Sequence, residues 1–506
     1  MKSRYIKISI VAVIMSIVGM YSCADLEVEN LASPDTQRVI ETPNDLLGVA
    51  GGAYRTIING SMEYGGPMLP FMTMADRMTC SWGNCAMKDL SSEPRVGFNN
   101  TVPYSYSYVN RDYWQDMNSA LSQVNDVLIQ IEDGAVIVDA ATTTKVKAWC
   151  YFIQGVAHGH IAIAMQKGFI VDETTDLETL DWSTYSEIGA AAVGYLDKAI
   201  AACNAASFIT SDGWIRGTTL TSDELSQLCN FYAAKFMISN SRNATENAAV
   251  DWNKVKAYAQ NGLDYDLTIT FDGYETWYGQ IMAFAQLEGW MRVDMRVINL
   301  MDPNYPSRWN VNGTPPNPAT ATSDDARLES DFRKLETVPH RPERGYYHFS
   351  YYGYWRYPEI QIETQAVTGT YPVYPEAEND YMLAEALLRT GDKTGAIAIL
   401  NASPRVTRGG LSNLGSGATD TQVLDAIFYE RTIELFCHSL GTEFFDMRRR
   451  DYLQPGTILH FPIPGKELET LGEEYYSLGS GKGTPGVDFA DANSGWPGWD
   501  VQNPYK

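Results

Sequence analysis

Basic residues are scarce in this chain. Against 62 aspartates and glutamates stand 38 lysines and arginines, and the formal net charge is −24. A surface of that sign repels phosphate backbones, which argues against nucleic acid as a partner and mildly against heavily sulfated or uronate-rich ligands. Long apolar runs are missing too. Beyond the first two dozen residues nothing approaches the roughly 20 residues that a membrane-spanning helix needs. Cysteine is sparse, at seven residues in 506, so no disulfide framework supports the fold. Cys150, Cys203, Cys229 and Cys437 sit in helical patterns and read as buried thiols acting as small apolar residues. Cys80 and Cys85 flank Ser81-Trp82-Gly83-Asn84 and can either close a small disulfide loop or remain thiols.

Catalytic signatures are absent as well. Neither His-Glu-x-x-His nor Gly-x-Ser-x-Gly occurs. His158 and His160 are two apart and face different sides of a helix, which argues against a shared metal. The run Gly479-Ser-Gly-Lys482-Gly-Thr lacks the spacing of a phosphate loop. A glycosidase needs only two carboxylates flanking a bond, and a chain this acidic neither reveals nor excludes such a pair. No cofactor is expected. A structural calcium at Ser323-Asp324-Asp325 has no calcium-loop pattern behind it, and that stretch reads as a solvated turn.

What the chain does have begins at residue 1. Lys2, Arg4 and Lys7 precede an apolar run from Ile8 to Met20 that only Ser9 and Ser16 interrupt. This reads as an export leader over residues 1–22, too short to be a permanent span. It ends in Met20-Tyr21-Ser22-Cys23, which resembles the lipobox of bacterial lipoproteins. The resemblance makes Cys23 the lipid-modified first residue of the mature chain, with an ordinary secretory leader as the alternative. Acyl chains contribute about 0.8 kcal/mol per buried methylene, enough to hold the body of the protein at a membrane surface. An acidic tether covers 23–42, and one domain is expected over 43–506.

The fold class expected is all-α. Thr42-Pro43-Asn44-Asp45 starts the first helix, with Leu46, Val49, Ala50, Ala53, Tyr54 and Ile57 on one face. Helical patterns follow at about 111–132, 143–167, 183–206, 222–241 and 251–262, suggesting stacked helical hairpins over 43–262 and again over 375–450. The clearest hairpin spans 381–400. Gly391 takes the left-handed stop and Asp392 caps the next helix, while Ala384 and Ala396 let the two approach. It resembles a tetratricopeptide unit, although no strict 34-residue period runs through the chain. Between about 263 and 374 helical periodicity fades and proline, glycine, tyrosine and tryptophan accumulate. A loop-rich stretch of that length is usually functional.

One family joins these parts. Phe428-Tyr-Glu430-Arg431-Thr-Ile-Glu434-Leu435, then Asp446-Met-Arg448-Arg449, then Phe461-Pro462-Ile463-Pro464 resemble the ordered motifs of the SusD/RagB family of outer-membrane lipoproteins. His438-Ser-Leu-Gly441-Thr-Glu443 departs from that family's Glu-Gly-x-Arg step. Thr73-Met-Ala-Asp76, Trp114 with Asn125, and Asp325-Ala-Arg327 resemble its earlier segments. The resemblance implies tetratricopeptide-like helical hairpins with a large irregular segment. It also implies a surface-exposed outer-membrane lipoprotein that captures nutrient, usually oligosaccharide, and delivers it to a SusC-like TonB-dependent transporter. The 430–434 helix is structural in that family, with Arg431 and Glu434 placed to meet at i, i+3.

Sugar capture needs flat aromatic faces for the C–H sides of pyranose rings and planar polar groups for hydroxyls. The ligand-contact candidates are Trp82 and Asn84 in the Cys80–Cys85 loop, and Trp277, Tyr278, Trp309, Tyr347, Tyr351 and Tyr354 in the irregular segment. Trp114, Trp149, Trp214 and Trp252 read as structural. Peptide import is the nearest rival to oligosaccharide, a surface glycoside hydrolase a more distant one, and a helical scaffold with every aromatic buried a third.

Overall fold

Helix starts in this protein are written locally, and the chain obeys them. The computed structural model describes residues 42–80, 83–92, 95–273, 275–287, 290–307, 319–337, 349–358, 360–363, 366–479 and 487–488. The leader, Cys23 and the tether lie outside the described residues, as do Trp82, Trp309 and Tyr347. Helix α1 (Pro43–Met62) opens on a capping box, in which Thr42 and Asp45 satisfy each other's backbone N–H, with Pro43 at the first turn. After α2 (Met68–Met74), β1 (Met78–Cys80) and α3 (Met87–Ser91) come the long helices. These are α4 (Tyr108–Glu132), α5 (Ala140–Ala164), α6 (Tyr185–Ala205), α7 (Ser222–Ser239) and α8 (Trp252–Gln260). Capping boxes at Thr184/Glu187 and Thr221/Glu224 start α6 and α7.

Successive helices pack on one another. The broadest contact is α5 on α6, and α1 on α4, α6 on α7 and α4 on α5 follow. Gly159 of α5 faces Phe236 of α7 so closely that any Cβ would run into the ring. The late hairpin is α9 (Glu376–Arg389) and α10 (Lys393–Ala402). Gly391 has φ +90°, and Asp392 accepts from the Gly395 N–H at 2.8 Å. Helices α11 (Asp420–Ile433) and α12 (Thr442–Arg448) follow, and a short helix at Gly465–Leu471 comes last among the described residues. Helices dominate and the strands are few and short. No helix among the described residues is long and apolar enough to cross a membrane.

The stretch read as irregular is more ordered than its periodicity suggests. It holds β2 (Leu267–Asp272), β3 (Met291–Val293), β4 (Phe332–Lys334), β5 (Tyr352–Tyr354), β6 (Gln361–Glu363) and β7 (Ala366–Tyr374), with short helices at Gln280–Gln286 and Met295–Met301. Strand β7 runs antiparallel between β2 and β6, β4 pairs with β5, and β3 pairs with β1 so that Cys80 opposes Met291. Buried side chains from Leu46 to Leu478 form one continuous core, and the α9–α11 hairpins add a smaller cluster around Tyr381 and Leu400.

The family-like motifs are buried ion pairs. Arg327 reaches Glu430 at 2.7 Å and Glu434 at 3.1 Å, and also binds Asp325 at 2.7 Å. That commitment, with the Tyr429 hydroxyl at 2.7 Å, occupies the Asp325 carboxylate considered above for calcium. Arg431 does not meet Glu434. It turns to Asp446 at 2.6 Å, while Glu434, just past the end of α11, takes Arg356 and Arg408. All of Cys80, Cys85, Cys150, Cys203, Cys229 and Cys437 are buried free thiols, so the Cys80–Cys85 loop is not closed by a bond.

Candidate ligand-binding face

Four segments distant in sequence meet at the end of α1. Asn59 clamps the 275–278 turn, donating to the Thr276 carbonyl at 2.8 Å and accepting the Tyr278 N–H at 3.0 Å. Just past the helix, Tyr64 packs on Phe284 (5.2 Å between centroids) and Trp290 (5.9 Å). Its hydroxyl accepts from the Asn84 amide at 2.6 Å, and its backbone carbonyl accepts the Cys85 thiol at 2.9 Å. The Tyr108 hydroxyl reaches the same sulfur at 3.6 Å. Burial pushes the Cys85 thiol up to about 12, with Tyr108 and Tyr64 opposing, so it stays protonated as a donor.

The 83–86 loop is held in a shape that side chains disfavour. Gly83, Cys85 and Ala86 all have positive φ (72°, 54° and 58°). For the two non-glycine residues this costs on the order of 1–2 kcal/mol each. Such strain persists only where neighbours over-determine it, and it concentrates at functional loops. Here the Gly83 N–H donates to the Cys80 sulfur at 3.3 Å, and the Met87 N–H to the Asn84 carbonyl at 3.0 Å.

Next to that loop runs a staircase of half-buried tyrosines. Tyr104 and Tyr106 meet edge to face at 5.5 Å, and Tyr106 and Tyr108 at 6.2 Å. Tyr104 is tied by its hydroxyl to Asp89 at 2.5 Å. The row leads into α4, whose first turns and the end of α1 border a cleft of about 530 Å³. Asn59, Gln115, Thr276 and Tyr278 line it beside Arg55, Glu63, Asp112, Asp116 and Glu275. Glycine at position 60 leaves room for the Asp116 carboxylate, which a Cβ there would strike. Burial, then Glu63 and Asp112, push Asp116 up to about 7, and burial with Asp112 raises Glu63. The arrangement offers aromatic faces beside planar amides and carboxyls, which suits a polyhydroxylated ligand.

A sequence profile of the SusD family matches residues 240–478. In three dimensions the chain superposes on surface glycan-binding protein A of Bacteroides uniformis with a TM-score of 0.60 at 14% identity, covering 85% of this chain and 98% of that one. A SusD superfamily protein of Bacteroides vulgatus gives 0.59 at 15% identity, with 90% and 99% covered. Another from Parabacteroides distasonis gives 0.59 at 14%, with 84% and 97% covered. The fold is SusD-like. No curated protein sequence matches it.

Within the SusD-like fold the sequence-read candidates separate. Asn84 and Tyr278 are half-exposed on the face just described. Trp277 (3% exposed), Tyr351 (8%) and Tyr354 (0%) lie in the core instead. The short strands of the 263–374 stretch need apolar partners of their own, and Tyr354 packs against Phe332 and Phe436. Trp82, Trp309 and Tyr347 fall outside the described residues. Trp114, Trp149, Trp214 and Trp252, read as structural from places in or beside helical patterns, are buried. His158 and His160 are buried on separate partners, the former receiving the Val171 N–H and the latter facing Tyr113.

Sequence reasoning passed over Tyr64, Tyr104, Tyr106 and Tyr108. The signal was the alternation Tyr104-Ser-Tyr106-Ser-Tyr108, which sets three rings in a row just before a helix. Of the face's segments, only the 275–290 stretch lies inside the matched region.

Proposed function

We propose that this protein is a non-catalytic, surface-exposed lipoprotein that captures neutral oligosaccharide. The observation that carries the reading is the half-exposed tyrosine row beside Asn84 and the Asn59–Tyr278 cleft, on a SusD-like frame. A neighbour in fold is described as a surface glycan-binding protein, which supports the same ligand class. In this reading Cys23 carries the lipid, the outer membrane is the anchor, and the body faces the cell exterior. A SusC-like TonB-dependent transporter takes the captured sugar from it.

The test is binding of the mature chain without Cys23 to neutral glucans, mannan and xylan, to polygalacturonate, and to mixed peptides. Affinity electrophoresis and calorimetry read it, with Tyr106→Ala, Tyr278→Ala and Trp82→Ala alongside. Retention by a neutral glycan without new reducing ends, weakened in the variants, is the expected result. Retention of peptides alone moves the protein to peptide import. Release of reducing ends overturns the non-catalytic reading and points to the carboxyls of the cleft.

A further inference from the structure

We propose that Tyr64 is a positioning residue, whose hydroxyl sets the orientation of the Asn84 amide and so the polar contact that the 83–86 loop offers to a ligand. The inference rests on the oligosaccharide-binding reading above and deepens it at one residue.

Tyr64 is fixed at three levels. Its ring sits against Phe284 and Trp290, which are themselves stacked at 4.0 Å. Its backbone N–H donates to Gln280, and its carbonyl takes the Cys85 thiol. Every one of these contacts survives removal of the hydroxyl. The hydroxyl accepts from Asn84 Nδ2 at 2.6 Å and also meets the Cys85 thiol, which keeps the Tyr64 carbonyl as its partner without it. Burial raises the Tyr64 phenol well above its ordinary value, with Cys85 adding to the effect, so it remains a neutral hydroxyl at all working pH.

Asn84 is otherwise loose. Its backbone carbonyl accepts the Met87 N–H, but its side chain makes no other hydrogen bond among the described residues, and it is half-exposed. An amide has two donors and a two-lone-pair acceptor. With one N–H held by Tyr64, the carbonyl and the second N–H remain for an incoming hydroxyl, in an orientation that rotation about the side chain would otherwise average away. Tyr64 therefore acts through Asn84 and does not touch the ligand itself.

Tyr64→Phe is the matching variant, since it deletes the hydroxyl and keeps the ring. In selectively 15N-asparagine-labelled protein without ligand, the Asn84 side-chain amide resonances are expected to lose their dispersion in Tyr64→Phe, with the melting temperature unchanged. In titrations with maltoheptaose, cellohexaose and mannohexaose, Tyr64→Phe is expected to weaken whichever is bound by roughly three- to ten-fold, the range of one hydrogen bond. It should have no effect in an Asn84→Ala background, because both changes remove one contact. Unchanged Asn84 resonances in Tyr64→Phe overturn the inference even if none of the three sugars binds. So does a Tyr64→Phe loss that simply adds to that of Asn84→Ala. A glycan that binds and responds to Tyr106→Ala but not to Tyr64→Phe leaves the oligosaccharide reading standing and removes only this step.

Discussion

Tyr106 is held between the edges of Tyr104 and Tyr108, which fixes its ring plane without wholly covering it. An aromatic platform of this kind contributes through area and through ring geometry worth about 0.5–1.5 kcal/mol. Tyr106→Ala is expected to weaken glycan retention about ten-fold while moving the melting temperature little, as calorimetry and a thermal scan would read. Gly159 is the opposite case, a residue that matters for the fold alone. Intrinsic helix propensity favours alanine over glycine there by about 1 kcal/mol. The Phe236 ring fills the space a methyl would need, and overpacking a core costs about 1–3 kcal/mol. Gly159→Ala should therefore lower the urea midpoint, and a variant more stable than the parent would show that α5 and α7 can part cheaply.

Among the elements, what is local in sequence was legible and what is distant was not. The capping boxes at Thr42, Thr184 and Thr221 and the Gly391-Asp392 turn are written in four-residue patterns, so helix starts and the late hairpin are legible in the chain itself. The strands of 263–374 are not, since β2 meets its partner β7 about a hundred residues away. The helix C-termini are equally hidden. The last carbonyls of α5 and α7 are satisfied by guanidiniums from elsewhere in the chain. Arg448 of α12 donates to Ile163 at 2.9 Å, Leu459 at 2.5 Å and Ser239 at 2.5 Å. Arg242 donates to Ala162 at 2.6 Å, Asn240 at 2.9 Å and Met165 at 3.1 Å. A cation at a helix C-terminus also meets the negative end of the dipole. Arg448→Met would leave three buried carbonyls without donors, at about 1–3 kcal/mol each if none relaxes. Loss of at least 3 kcal/mol in urea unfolding is expected, and a loss under 1 kcal/mol would mean that water replaces the guanidinium.

At the scale of the whole molecule, the core was predictable and the face was not. The core follows from helical periodicity, whereas the face is assembled from α1, the 83–86 loop, the tyrosine row and the 275–278 turn, and no sequence pattern states that they meet. Carboxyls buried in the core and at the cleft set a pH dependence. Burial pushes Glu443 up to about 7, offset in part by the Cys437 N–H and by Arg77, and burial with Glu63 and Asp112 does the same to Asp116. A carboxyl raised in this way binds its proton more tightly folded than unfolded. It therefore removes stability as pH rises from about 4 to about 7, and adds no further cost above that. Glu385 works the other way. Burial would raise it, but Arg449 and Arg389 overcome that and hold it at about 2. Its contribution is complete above about 4.5 and is lost as pH falls toward 2. With the acid limb set by Glu385 and the alkaline limb by Glu443 and Asp116, the melting temperature should peak near about pH 5. Asp116 is partly exposed, so solvent screening reduces its share. Glu443→Gln keeps an oxygen for the Cys437 N–H and removes the titration, and should raise stability at about pH 8 by roughly 2 kcal/mol. Scanning calorimetry from about pH 4 to 9 on both proteins tests this. A parent protein that melts higher at about pH 8 than at about pH 5 would mean that Glu443 is ionised in the fold without cost and that some other cation answers it.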